Sequence, residues 1–125
     1  MLCVCVNAQL PNGAYDYKFV SAYDSNGNIV RLPGHPNKIN IMVVSTAFFG
    51  ITQTSCSYAE YNLATGELGD YINFNTFVGQ NNGWLVYSWA NNLILVKSDF
   101  SRVRVKMYYY NGCYCEYRLY DSDDY

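Results

Sequence analysis

The chain reads as one all-β domain, an antiparallel arrangement of eight or nine short strands closing as a small barrel or folding as a sandwich. Three observations predict this. Fourteen Tyr, six Phe and two Trp stand against three Met, an inventory that suits a pleated, half-buried surface better than a helix. Turn chemistry recurs at short intervals, in "LPNG", "DSNGN", "LPGHPN", "ATGELGD", "GQNNG", "ANN" and "YNG". Between these turns the apolar residues alternate with period two, and no window sustains a 3.6-residue period.

Taken in order, residues 1–8, "MLCVCVNA", form an apolar stretch ending in the small-residue pattern Val6-Asn7-Ala8. They are read as the remnant of an export signal or as an extra strand, with the domain running from 9 to 125. The first strand covers 13–23, where Tyr15, Tyr17 and Phe19 alternate with Asp16 and Lys18. A short run at 28–32 follows, then 38–46, where Ile39, Ile41 and Val43 share a face. Further strands are expected at 51–62, 71–78, 84–90, 93–98, 102–110 and 113–120. A helical turn near "STAFFG" interrupts the third and fourth. "YDSNGNIV" and "YNLATGEL" echo one another, which reflects reuse of one turn chemistry rather than a repeat.

The last two strands fix an inside and an outside. A two-residue loop at Asn111-Gly112 would set Met107 against Glu116. A three-residue loop, Tyr110-Asn111-Gly112, sets Tyr109 against Cys113, Met107 against Cys115, Val105 against Tyr117 and Val103 against Leu119, so that apolar pairs match throughout. The expectation is therefore a hairpin with a G1 bulge at Gly112. Its outer face carries Arg102, Arg104, Lys106, Tyr108, Tyr110, Tyr114, Glu116, Arg118 and Tyr120, with Lys106 opposite Glu116, Tyr108 opposite Tyr114 and Arg104 opposite Arg118.

Composition excludes some partners. A formal charge of −2 gives no global attraction to nucleic acid or anionic lipid. No segment approaches the roughly 20 apolar residues of a membrane-spanning helix. The expected location is secreted or periplasmic. In an oxidising compartment Cys56 would bridge Cys113 or Cys115, which lie too far apart on one strand to bridge each other. The one-residue spacing of Cys3 and Cys5, and of Cys113 and Cys115, does not suit zinc. "YDSDDY" lacks the spacing of a calcium loop, and no cofactor is expected.

Catalytic signals are sparse. His35, in "LPGHPN", reads as a surface loop residue, and no nucleophile elbow, phosphate loop or dinucleotide fingerprint is present. Glu60, Asp70 and Asp99 are the carboxylates that stand nearest to aromatic strands. The domain is accordingly expected to be non-catalytic and to bind a small molecule, glycan or protein through aromatic residues: Trp84, Tyr87 and Trp89 from "GWLVYSW", at least one Trp of which is expected in the core, and Tyr108, Tyr114, Arg104 and Arg118 from the final hairpin. The alternative is an interaction or self-assembly module using a sheet edge or the tyrosine-rich face.

"NGAYDY" opening the first strand, together with Arg118 in the last, resembles lipocalin-like barrels, which begin with Gly-x-Trp and close with an arginine over that ring. Tyr15 stands in place of the Trp. The resemblance covers these two short places, implies a lipocalin-like meander closed as a barrel in preference to a sandwich, and implies no ligand.

Overall fold

The computed structural model describes residues 13–48 and 51–120, and for 45–48 and 51–54 the backbone only. The proposed export signal or extra strand at 1–8 therefore lies outside the described residues. Ten strands follow one another: β1 (Gly13–Tyr23), β2 (Ile29–Val30), β3 (Lys38–Phe48), β4 (Ile51–Glu60), β5 (Ile72–Phe74), β6 (Thr76–Asn81), β7 (Trp84–Trp89), β8 (Asn92–Lys97), β9 (Arg102–Lys106) and β10 (Tyr114–Leu119). Every pairing is antiparallel, in the order β5-β4-β3-β1-β10-β9-β8-β7-β6, with the stub β2 on β1. The two ends of that order, β5 and β6, are separated in the chain by Asn75 alone. They act as one bent strand whose first half pairs with β4 and second half with β7. The sheet thus curls into a nearly closed barrel, as the alternation and the lipocalin-like pattern lead one to expect. Among the described residues no helix is long and apolar enough to cross a membrane.

The interior follows from the period-two pattern. One belt of paired residues runs Leu85, Val96, Val103, Tyr117, Phe19 across five strands, and a second runs Tyr87, Ile94, Val105, Cys115, Ala22. Apart from half-buried Phe19, all are essentially inaccessible. Ile39, Ile41 and Val43 line the opposite wall, facing Tyr58 and Cys56 of β4. A bulge between Phe19 and Ser21 adds one residue to β1; it flips the alternation, so that Ala22 rather than Ser21 points inward.

The final hairpin departs from the expected register by two residues. Val105 pairs with Cys115 and Val103 with Tyr117. Residues Met107 to Cys113 leave the ladder, Tyr108–Tyr110 making one turn of 3-10 helix. Asn111 and Gly112 both take left-handed φ, 54° and 86°, so the connection is wider than a G1 bulge. The reason is on both sides of the turn. Tyr110 swings into the core and is 3% exposed, while the Tyr108 backbone N–H donates to buried Asn92 Oδ1 at 2.9 Å. A slip of two preserves parity, so Cys115 and Tyr117 still face inward and Arg104, Glu116 and Arg118 outward. Partners change, however: Glu116 opposes Arg104 rather than Lys106, Arg118 opposes Arg102, and Leu119 opposes Tyr17.

Three local expectations are also corrected. Ser45 to Phe48 of "STAFFG" continue strand β3 instead of forming a helical turn. Neither Trp is buried: Trp84 is half-buried on the outer wall, and Trp89 is 46% exposed. The ring that stacks on Tyr15 is that of Phe100, with centroids 5.0 Å apart, and Arg118 is exposed on the outer wall. The echo between residues 23–30 and 61–68 is shared turn chemistry. Asp24 Oδ1 accepts the N–H groups of Asn26 and Asn28, as Asn62 Oδ1 accepts those of Ala64 and Thr65.

Candidate functional site

In an up-and-down meander every second connection emerges at the same end. Residues 61–71, 90–91 and 107–113 therefore meet at one mouth of the barrel. There they enclose an open cleft of about 460 Å³ lined by Tyr58, Glu60, Asp70, Ile72, Trp89, Asn92, Met107, Tyr108 and Tyr109 among others, a size suited to a small ligand. Trp89 ends β7 at the position where period two would bury it, but the strand stops there, leaving the ring over the rim beside Phe74. Tyr108 and Tyr109 project from the 3-10 turn, 69% and 55% exposed. Their rings meet edge-on at 87°, with centroids 5.1 Å apart. Asn92 holds that turn in place.

The acidic side comes from β4 and the loop after it. Tyr58 is buried beneath the cleft and donates its hydroxyl to Glu60 Oε2 at 2.6 Å. Burial, and then this carboxylate, push the Tyr58 hydroxyl far above its ordinary value. Gly69 N–H donates to the Glu60 carbonyl at 2.9 Å. A Cβ at Gly69 would stand 3.1 Å from that carbonyl oxygen, so glycine lets the loop close tightly and bring Asp70 to the cleft. Among the described residues neither Glu60 nor Asp70 makes an ion pair.

The other residues singled out in the sequence lie elsewhere. Trp84, Arg104 and Tyr114 form an outer-wall cluster, the Arg104 guanidinium lying 4.3 Å from the Trp84 ring centroid and 5.1 Å from that of Tyr114. Arg104 Nε also donates to Glu116 Oε1 at 2.9 Å, and Arg102 donates to the same carboxylate at 3.4 Å. These cations are internally engaged rather than presented to a partner. Arg118 is exposed on the same wall, and Tyr87 belongs to the core. Asp99 closes a turn at the far end, accepting from the Ser101 N–H and hydroxyl, bonds that hold its carboxyl below the usual range. His35 lies in the connection between β2 and β3, half-buried, its ring stacked on Phe19 with centroids 3.8 Å apart. Cys56, Cys113 and Cys115 are free thiols, and burial pushes Cys56 up to about 12 and Cys115 up to about 11.

Of the sequence candidates, then, Trp89 and Tyr108 come together with the carboxylates Glu60 and Asp70, and Tyr109 joins them. Tyr109 was read as an inward hairpin residue, and its place at the mouth follows from the wider turn. Among the described residues no group of His, Cys, Asp and Glu is arranged to hold a metal ion. Comparison with protein-family models, with curated proteins and with solved structures finds no match.

Proposed function

We propose that the protein is a non-catalytic binding domain of the exported compartment that takes a small ligand at the mouth of its barrel, against Trp89, Tyr108 and Tyr109. The observation that carries this reading is the convergence of three exposed aromatic rings, one from the end of β7 and two from the β9–β10 connection, on one cleft. Exposed aromatics of this size are costly unless covered, and a cluster of them in a concavity is the usual signature of a ligand surface.

Fluorescence tests it. In a Trp84→Phe variant the emission reports Trp89 alone. Titration with a fragment panel spanning neutral sugars, amines and carboxylates should give saturable change for at least one class, and Tyr108→Ala should remove it. A panel without any saturable response overturns the proposal.

Self-association is the second reading, favoured by β6. This strand ends the sheet order, with Phe77 50% and Val78 60% exposed, and such an edge invites pairing. The bulge between Phe77 and Gly79 works against it. Light scattering coupled to size exclusion should show a dimer at high concentration, and a strict monomer excludes this reading.

A further inference from the structure

We infer that the ligand class of the barrel mouth is an organic cation, a quaternary or alkylated ammonium group held between the Tyr108–Tyr109 corner, Trp89 and the carboxylates of Glu60 and Asp70. This rests on the binding role proposed above and adds the chemistry of the ligand.

The charge of the cleft carries the inference. Its lining contains two carboxylates and no Lys, Arg or His. On the strands of the barrel wall the carboxylates Asp16 and Glu116 are matched, Asp16 by Lys38 at 3.8 Å and Glu116 by Arg102 and Arg104, and in the turns Asp24 and Asp99 are held by hydrogen-bond donors. Several rings beyond the Tyr108–Tyr109 corner carry a cation as well. Lys38 lies 4.4 Å from the Tyr61 ring centroid, Lys18 4.7 Å from that of Tyr120, and Arg104 covers Trp84. On the strands of the wall, then, cations of the chain lie over these rings and beside Asp16 and Glu116. At the mouth Lys38 is committed to Tyr61 at the edge of the cleft and to Asp16, while among the described residues Glu60, Asp70, Trp89, Tyr108 and Tyr109 stand together with no cation of the chain upon them.

The geometry suits a rounded cation rather than a flat one. Two ring faces at 87° make the corner of an aromatic cage, which offers negative quadrupole faces from two directions. Tyr58 fixes one oxygen of Glu60, orienting the carboxylate and leaving its second oxygen, among the described residues, without a protein donor. Glu60 lies within electrostatic reach of the cage: burial first, and then its charge, raise the Tyr109 hydroxyl above its ordinary value. A neutral sugar would gain the stacking but would leave the two charges unanswered.

Choline and its uncharged isostere 3,3-dimethylbutan-1-ol separate the possibilities, with maltose as a neutral sugar. Trp89 emission in the Trp84→Phe background is the readout, with NMR shifts of the Tyr108 and Tyr109 amides as a second. Choline should bind about tenfold more tightly than the isostere, since the charge adds both a ring and a carboxylate interaction. Glu60→Gln keeps an acceptor for Tyr58, and Asp70→Asn alters an exposed loop, so both should fold. Each should weaken choline several-fold and leave the isostere unchanged. Equal binding of isostere and choline, or preferential binding of maltose, overturns the cation and leaves the cleft as a binding site. If neither these probes nor the wider panel bind at about 10 mM, above the dissociation constant of a weak fragment site, the cleft itself is refuted.

Discussion

Tyr17 and Tyr117 are matched residues with opposite hydroxyl environments, and this makes a quantitative test of the core. Both rings are wholly buried in the barrel. The Tyr117 hydroxyl donates to the buried Pro36 carbonyl at 2.8 Å. Among the described residues the Tyr17 hydroxyl has no partner, and burial pushes it well above its ordinary value. An unmade hydrogen bond in such a place costs about 1–3 kcal/mol, against a few tenths of a kcal/mol of dispersion lost with one atom. Tyr17→Phe should therefore stabilise the fold by about 1 kcal/mol. Tyr117→Phe loses a bond while the Pro36 carbonyl keeps its 3.1 Å contact with His35 Nδ1, and should destabilise it by about 1 kcal/mol. For a chain of this length 1 kcal/mol moves Tm by about 4 °C, so the expected changes are about +4 °C and about −4 °C. Thermal melts by circular dichroism, with urea midpoints at unchanged m, measure both. A fall in Tm for Tyr17→Phe comparable to that for Tyr117→Phe would refute the reasoning, because it would mean that the Tyr17 hydroxyl is paired.

Two further outcomes are expected. Asn92→Ala, which removes the acceptor of the Tyr108 N–H, should lower stability by about 1–3 kcal/mol and speed hydrogen exchange at the Tyr108 amide; unchanged exchange there would show that Asn92 does not hold the turn. Alkaline pH should destabilise the fold: Cys115 is held up to about 11, and Cys56 and Tyr87 up to about 12, whereas in the unfolded chain they ionise near their ordinary 9.0 and 10.0. The unfolded state then binds fewer protons, so stability is full below about pH 8 and falls as pH rises through 9 to 12. Melts in reducing buffer at stepped pH check this, and a Tm that holds or climbs above pH 9 would contradict it.

Much of the barrel was legible because alternation is a local property. Ile39, Ile41 and Val43 announce their inward face in the sequence, and the structure buries all three. The last hairpin shows where locality fails. Met107 to Tyr110 continues the alternation of β9, so nothing in the residues themselves signals that the chain leaves the ladder. The decision is made by Asn92, fifteen residues before Met107, and by room for Tyr110 in the core. The face assignment survived only because a slip of two preserves parity. At the site, Trp89, Tyr108, Glu60 and Asp70 were each visible singly, but their meeting depends on topology. It could have been found by counting connections, since alternate links of a closed meander share an end. The commitment of Arg104 to Trp84 and Glu116 was not legible, because it rests on the register of three strands.

The bent β5–β6 segment and the meander order bear on how the chain reaches this shape. Nearly every seam joins strands that are neighbours in the chain, so hairpins can assemble with short loops. The seam between β1 and β10, which brings Tyr17 beside Leu119, is the exception, spanning almost the whole described length. Its closure entropy must be met before its contacts repay it. The zipping of first strand to last is thus the event that sets the folding rate, and until it happens the flanks of β1 and β10 are open templates for pairing with another molecule.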